Sequence, residues 1–174
     1  MTTDTVPKAV SRRLRLGGRE LTITGIAKGA GMIHPNMATM LSAIVTDAAV
    51  APEVLADMLR KATEVSFNSI TVDGDTSTND TVLITATGRA TGREEDLREA
   101  LRYVCMELAR MMAQDGEGAT KYMEVTVRGA KTLLDARKAA KSVVGSSLVK
   151  TAFFGADPNW GRIVAAAGYS GADL

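Results

Sequence analysis

Between Arg93 and Gln114 the residues Leu97, Leu101, Val104, Cys105, Leu108, Met111 and Met112 recur at three- and four-residue spacing, with charged residues between them. That spacing places them on one face of a long helix, and the stripe needs another apolar surface to cover it. Short runs at Val10–Leu16, Glu20–Ile26, Thr39–Val45 and Thr81–Thr87 read as strands that can supply such a surface. A second helical pattern starts near Pro52 and carries Val54, Leu55, Met58, Leu59, Ala62 and Val65. Strands interleaved with amphipathic helices predict a mixed α/β (α+β) fold. At 174 residues the chain fits one domain, 1–174, with room for a sizeable core.

The remaining segments read as follows. Residues 1–12 are polar and expected to be irregular. Gly17-Gly18 joins two β-like runs into a hairpin, with Leu21, Ile23 and Ala27 on one face and Thr22 and Thr24 on the other. Gly88 is expected to close the strand at Thr81–Thr87, and Lys121–Arg128 reads as a further strand. Thr132–Val144 reads as a helix, Ser146–Phe154 as a short apolar strand, and Ile163–Ala167 as a short helix. Trp160, the single tryptophan, is expected to anchor the turn 155–162.

Composition narrows the function classes. A net charge of +1 gives no broad attraction to nucleic acid or anionic membranes, so neither is an expected partner. No apolar run is long enough to span a bilayer. The opening MTTDTVPK lacks the charged-then-apolar pattern of a signal peptide, and a cytoplasmic protein is the expectation. Cys105 has no partner for an internal disulfide and falls on the helix stripe, where a buried, inert thiol is expected.

Candidate chemistry gathers in four places. In Gly25–Leu41, GIAKGAGMIHPNMATML, Thr39 stands between Ala38 and an apolar strand: an ordinary strand threonine, or a nucleophile unmasked by cleavage of the chain. Lys28 is either a solvated strand-end lysine or a cation beside a site. His34 is the only histidine, a turn residue before Pro35 or a catalyst, and a histidine-rich metal site cannot be built. Ser66–Thr81 places Asp73, Asp75 and Asp80 close together, a polar turn or a calcium loop, although the EF-hand spacing fails. Glu117 lies between two glycines, a turn residue or a carboxylate reaching an amino group. Asp157 and Arg162 are further candidates to line the site.

Long strings decide among these. GIAKGAGMIHPNMATML, together with MTTDT, TVDGDTSTNDT, QDGEGATK and KTAFFGADPNWGRI, strongly resembles the ornithine acetyltransferase family, the bifunctional glutamate N-acetyltransferases of arginine biosynthesis. The resemblance implies helices outside stacked β-sheets. It implies self-cleavage between Ala38 and Thr39, so that 1–38 ends a first chain and 39–174 forms most of the core of a second. It implies Thr39 as catalytic nucleophile, Lys28, Thr39 and Glu117 as substrate-binding residues, and no metal or cofactor. The implied reaction moves acetyl from N-acetylornithine to glutamate through an acetyl-threonine, with acetyl-CoA a donor in some relatives. The implied assembly is a heterotetramer of two copies of each cleaved chain. Family members are about twice this length, so an internal portion of a longer protein is expected. The family's oxyanion donors, a Thr-Gly pair, lie upstream of anything matched.

The chemistry is consistent with one histidine. An N-terminal threonine brings its own base, an α-amine with a pKa of about 7.7–8.0. Two alternatives stay open: a related self-processing hydrolase or aminopeptidase with an N-terminal nucleophile, and an inactive piece that needs a partner chain.

Overall fold

The computed structural model describes residues 3–16, 19–34 and 40–173. Strand β1 (Lys8–Leu16) pairs antiparallel with β2 (Arg19–Lys28), in register from Lys8↔Ala27 to Leu16↔Arg19. This is the expected hairpin; Gly17 and Gly18 themselves lie outside the described residues. Strand β3 (Leu41–Ala48) runs antiparallel to β2, and β4 (Thr81–Ala90) runs parallel to β3, giving the order β1-β2-β3-β4.

A parallel pair needs a crossover. Here it is helix α1 (Pro52–Glu64), a 3-10 turn (Phe67–Ser69) and the polar loop up to Asp80. Helix α2 (Glu94–Gln114) then returns across β1 and β2 and packs against α1. Its buried stripe, Leu97, Leu101, Val104, Cys105, Leu108 and Met112, meets Leu21, Ile23 and Ala27 of β2 and Ile44 and Ala48 of β3 in one core. Gly25 lets the helix come this close. A Cβ there would stand 2.8 Å from both Val104 Cγ1 and Leu108 Cδ1. Burial pushes the Cys105 thiol up to about 12, so it stays protonated and inert as expected.

The alternation that buries one sheet face leaves Ile26, Leu41, Val45 and Leu83 exposed on the other. The mixed α/β class is therefore as expected, with a single four-stranded layer among the described residues. Three helices complete the chain: α3 (Leu133–Gly145), α4 (Ser147–Phe154) and α5 (Trp160–Gly168).

Several local expectations are corrected. Residues 1–12 are ordered from Lys8 by pairing with β2. Gly88 does not end β4. It sits at φ 73° where four residues of β4 advance against two of β3, Thr46↔Ala86 to Ala48↔Ala90. Ser146–Phe154 is a helix, because the Ser146 side chain caps it by accepting from the Val149 amide, and Val149 and Ala152 bury one side. Lys121–Arg128 forms no ladder with any described strand. Trp160 anchors nothing: it is 75% exposed.

Candidate functional site

The site is built where β2 ends. After Lys28 the chain turns through Gly29 (φ 144°), Ala30, Gly31 and Met32 (φ 55°), a conformation that glycine permits and few other residues favour. Three elements hold this turn. The Asp4 carboxylate accepts the Gly29 amide at 2.8 Å. The Glu117 amide donates to the Ala30 carbonyl at 2.7 Å. Asp73 accepts the Met32 and Ile33 amides at 2.5 and 3.0 Å.

Glu117 comes from the turn that follows α2, and its carboxylate lies directly against Gly31; a Cβ on Gly31 would overlap Oε2. The structure thus brings two predicted residues to one turn: Lys28 leads into it and Glu117 closes over it. The Glu117 side chain is exposed and Lys28 is half-buried. Ala38 and Thr39 lie outside the described residues, as do Pro35, Asn36 and Met37.

Both flanks of that stretch are held by one loop, residues 71–81. On the upstream side Val72 donates to the Ile33 carbonyl at 2.6 Å, Thr76 Oγ1 to the His34 carbonyl at 3.1 Å, and Thr71 Oγ1 meets His34 Nδ1 at 2.9 Å. On the downstream side Asp80 Oδ1 accepts the Met40 amide at 2.7 Å and the Thr81 amide donates to the Met40 carbonyl at 3.0 Å. Ile33 and Met40 are buried, fixing the flanks in the core. The DGDTSTND run is dense in oxygen acceptors because it closes on backbone amides, with Asp73 and Asp80 facing opposite flanks.

The electrostatics follow from burial. His34 is held below its ordinary value by desolvation and by the charges of Lys141 and Lys150, so it is neutral near pH 7. Burial raises the Asp80 carboxyl against the opposing pull of the Met40 amide and the Lys28 charge. Asp80 Oδ2 is buried and meets no hydrogen-bond donor among the described residues.

Behind the turn lies a cluster that the sequence reading missed. Lys8, 2% exposed, donates to Asp4 at 2.6 Å and to Asp115 at 2.5 Å. Thr5 donates to Asp115 through its amide and its hydroxyl. The cluster locks the N-terminal segment to the end of α2, beside Glu117. Its only trace in the sequence is the Asp4/Lys8 spacing, since Asp115 lies 107 residues from Lys8. The other two candidates do not join the site. Arg162 donates to the Leu148 carbonyl and Thr151 Oγ1, and Asp157 accepts from Asn159.

Comparison with known proteins supports the same reading. The family model described as the ArgJ family matches residues 1–174. The arginine biosynthesis bifunctional protein ArgJ of Geobacillus kaustophilus is 56% identical over the whole of this chain, which covers 44% of that protein. The glutamate N-acetyltransferase of Methanocaldococcus jannaschii is 58% identical, again over the whole chain and 45% of its own length. The chain thus spans about half the length of the curated relatives it matches. A crystal structure of the arginine biosynthesis bifunctional protein ArgJ from Bacillus halodurans aligns with TM-score 0.70 at 47% identity, over 74% of this chain and 64% of that one. Matched along its full length by that family's model, this chain belongs to the ArgJ family.

Proposed function

We propose that this chain carries the nucleophile of an acyltransferase that moves acetyl from N2-acetyl-L-ornithine to L-glutamate through an acetyl-threonine on Thr39. The observation that carries the reading is the double clamp: one loop fixes both His34 and Met40, the two residues bounding Pro35–Thr39. A segment gripped on both sides is suited to present one peptide bond reproducibly. The names of the relatives, glutamate N-acetyltransferase among them, supply the reaction class.

Self-cleavage at Ala38–Thr39 frees the α-amine, which then serves as base for its own hydroxyl. Thr39 takes acetyl from acetylornithine, ornithine leaves, and glutamate accepts the acetyl group. In this reading Lys28 binds a substrate carboxylate and Glu117 a substrate ammonium. The oxyanion donors come from residues outside this chain, and losing one such donor costs roughly 2.7–4 kcal/mol of barrier. The working enzyme therefore comprises this chain with the remainder of the relatives' length, in a heterotetramer of two copies of each cleaved chain, in the cytoplasm.

Intact mass spectrometry of wild type and Thr39→Ala tests the first step. A wild-type break after Ala38 that is absent from the variant supports the reading; an uncut wild type opposes self-cleavage by this chain. Transfer of labelled acetyl from acetylornithine to glutamate, against mere hydrolysis, then separates the transferase from a related hydrolase. The same assay with acetyl-CoA decides whether that donor is used.

A further inference from the structure

We infer that Asp80 is the proton acceptor for self-cleavage at Ala38–Thr39, an assignment that rests on the nucleophile reading above. The α-amine that serves acetyl transfer does not exist before cleavage. Until the bond breaks, the Thr39 nitrogen belongs to an amide and is no base. The hydroxyl proton needs another acceptor, and it has to come from the groups around the clamp.

Most of those groups are engaged elsewhere. Asp73 is occupied by the Met32, Ile33 and Asp75 amides. His34 meets Thr71 through Nδ1. Glu117 lies against Gly31, at the start of the turn. A lysine ammonium such as Lys28 donates and does not accept. Asp80 is different. Its Oδ1 holds the amide of Met40, the residue bonded directly to Thr39, while Oδ2 is buried with no donor among the described residues. A buried carboxylate oxygen left without a donor is costly and calls for an explanation. A proton taken from the neighbouring residue supplies one. Burial raises the Asp80 carboxyl, which makes it a stronger base; the charged group that acts on it across the sheet is Lys28, on β2.

The step balances. The Thr39 hydroxyl proton passes to Asp80 as Oγ bonds to the Ala38 carbonyl carbon. The Ala38–Thr39 C–N bond then breaks, and Asp80 returns the proton to the departing nitrogen. The products are an ester and a free α-amine. Water hydrolyses the ester, leaving the Ala38 carboxylate and the Thr39 hydroxyl. From then on the amine is the base.

The test follows cleavage of freshly synthesised chain by intact mass, as a function of time and pH, for wild type, Asp80→Asn, Asp80→Glu, Asp80→Ala and Thr39→Ala. A general base contributes on the order of 10²–10⁴-fold, so Asp80→Asn should slow cleavage at least 100-fold and lose the rise of rate with pH. Asp80→Glu should retain part of the rate, and formate should restore cleavage of Asp80→Ala in proportion to its concentration, which a merely structural role would not allow. Cleavage of Asp80→Asn within about threefold of wild type, with Thr39→Ala uncut, overturns the Asp80 assignment alone. If Asp80→Asn does not fold, absence of formate rescue in folded Asp80→Ala overturns it equally. Thr39→Ala cut at the Ala38–Thr39 bond overturns the nucleophile reading and this assignment with it.

Discussion

From Asp4 to Gly116 the chain closes a core of its own: a sheet face, α1 and α2 interlock around Leu21, Ile44, Phe67, Leu101 and Leu108. From Lys121 to Asp173 the buried cluster is Val143, Val149 and Ala166, while Leu133, Leu134, Leu148, Phe154, Val164 and Tyr169 stay exposed. The two regions also meet through different forces. The second is tied to the first by Arg137 to Glu64 at 3.2 Å, Lys141 to the Asn68 carbonyl at 3.2 Å and Lys150 to the Val72 carbonyl at 2.7 Å. Of these the Arg137–Glu64 pair is exposed, and such a pair contributes little, about 0–1 kcal/mol, while the two lysine bonds to backbone carbonyls are part-buried. The first region is therefore set by apolar burial, whereas the second leaves much of its apolar surface uncovered. Large exposed apolar patches of this kind often mark contact surfaces. The division also separates the candidate site from the rest, because the bonds that hold His34 and Met40 among the described residues come from the first region.

The sharpest way to break the first region is its buried charge cluster. Lys8→Ala leaves two carboxylates, Asp4 and Asp115, facing each other without their cation. Removing one partner of a buried pair costs about 3–5 kcal/mol, and urea unfolding should show a loss of that size. The same cluster sets the acid limit. Lys8 first, and Thr5 second, hold the Asp115 carboxyl at about 2, down from its ordinary 3.8. A depressed carboxylate contributes stability that is complete above its unfolded value and is lost as pH falls through the folded one. Wild type should therefore lose stability between about pH 4 and 2, and Asp115→Asn should flatten that limb.

Gly25→Ala tests how tightly α2 lies on the sheet. The added methyl would meet Val104 and Leu108 at 2.8 Å, and overpacking of this kind costs about 1–3 kcal/mol. A thermal melt unchanged from wild type would show that α2 can retreat from β2 without loss.

These contrasts explain what the sequence disclosed. Helix α2 was legible because its stripe repeats over many turns, and the hairpin because alternation and a Gly-Gly pair agree. Ser146–Phe154 was not, since nine apolar-rich residues fit a strand or a helix and only the Ser146 cap decides. Lys121–Arg128 has strand alternation, but a strand also needs a neighbour. At the site, long family strings marked Lys28 and Glu117, and the structure brings both to the Gly29–Met32 turn. The roles of Asp73 and Asp80 were hidden: acidic residues in one polar loop look alike until each is matched to its amide. The Lys8 cluster was hidden by its reach along the chain.

The second region should yield smaller effects. Val149 is fully buried, so Val149→Ala removes about two methylene equivalents, or roughly 1.6 kcal/mol at 0.8 each. Because the second core is small, the loss should appear as local opening. Amide exchange should quicken across Leu133–Gly168 and leave Leu97–Met112 unchanged. Equal quickening in both would mean that the two regions open as one unit and would break the comparison.

Trp160→Ala should cost least. A side chain 75% exposed leaves almost no contact behind, and surface substitutions away from special features stay within about 0.5 kcal/mol. Yet Trp160 adjoins an apolar pocket lined by Val149, Phe153, Pro158 and Ile163. If this surface exists to meet other polypeptide, the change should leave the unfolding midpoint in place and weaken self-association, measured by sedimentation at rising concentration. A midpoint lowered by 2 kcal/mol or more would show that Trp160 supports the fold after all, and the second region would then have to be counted as self-sufficient, like the first.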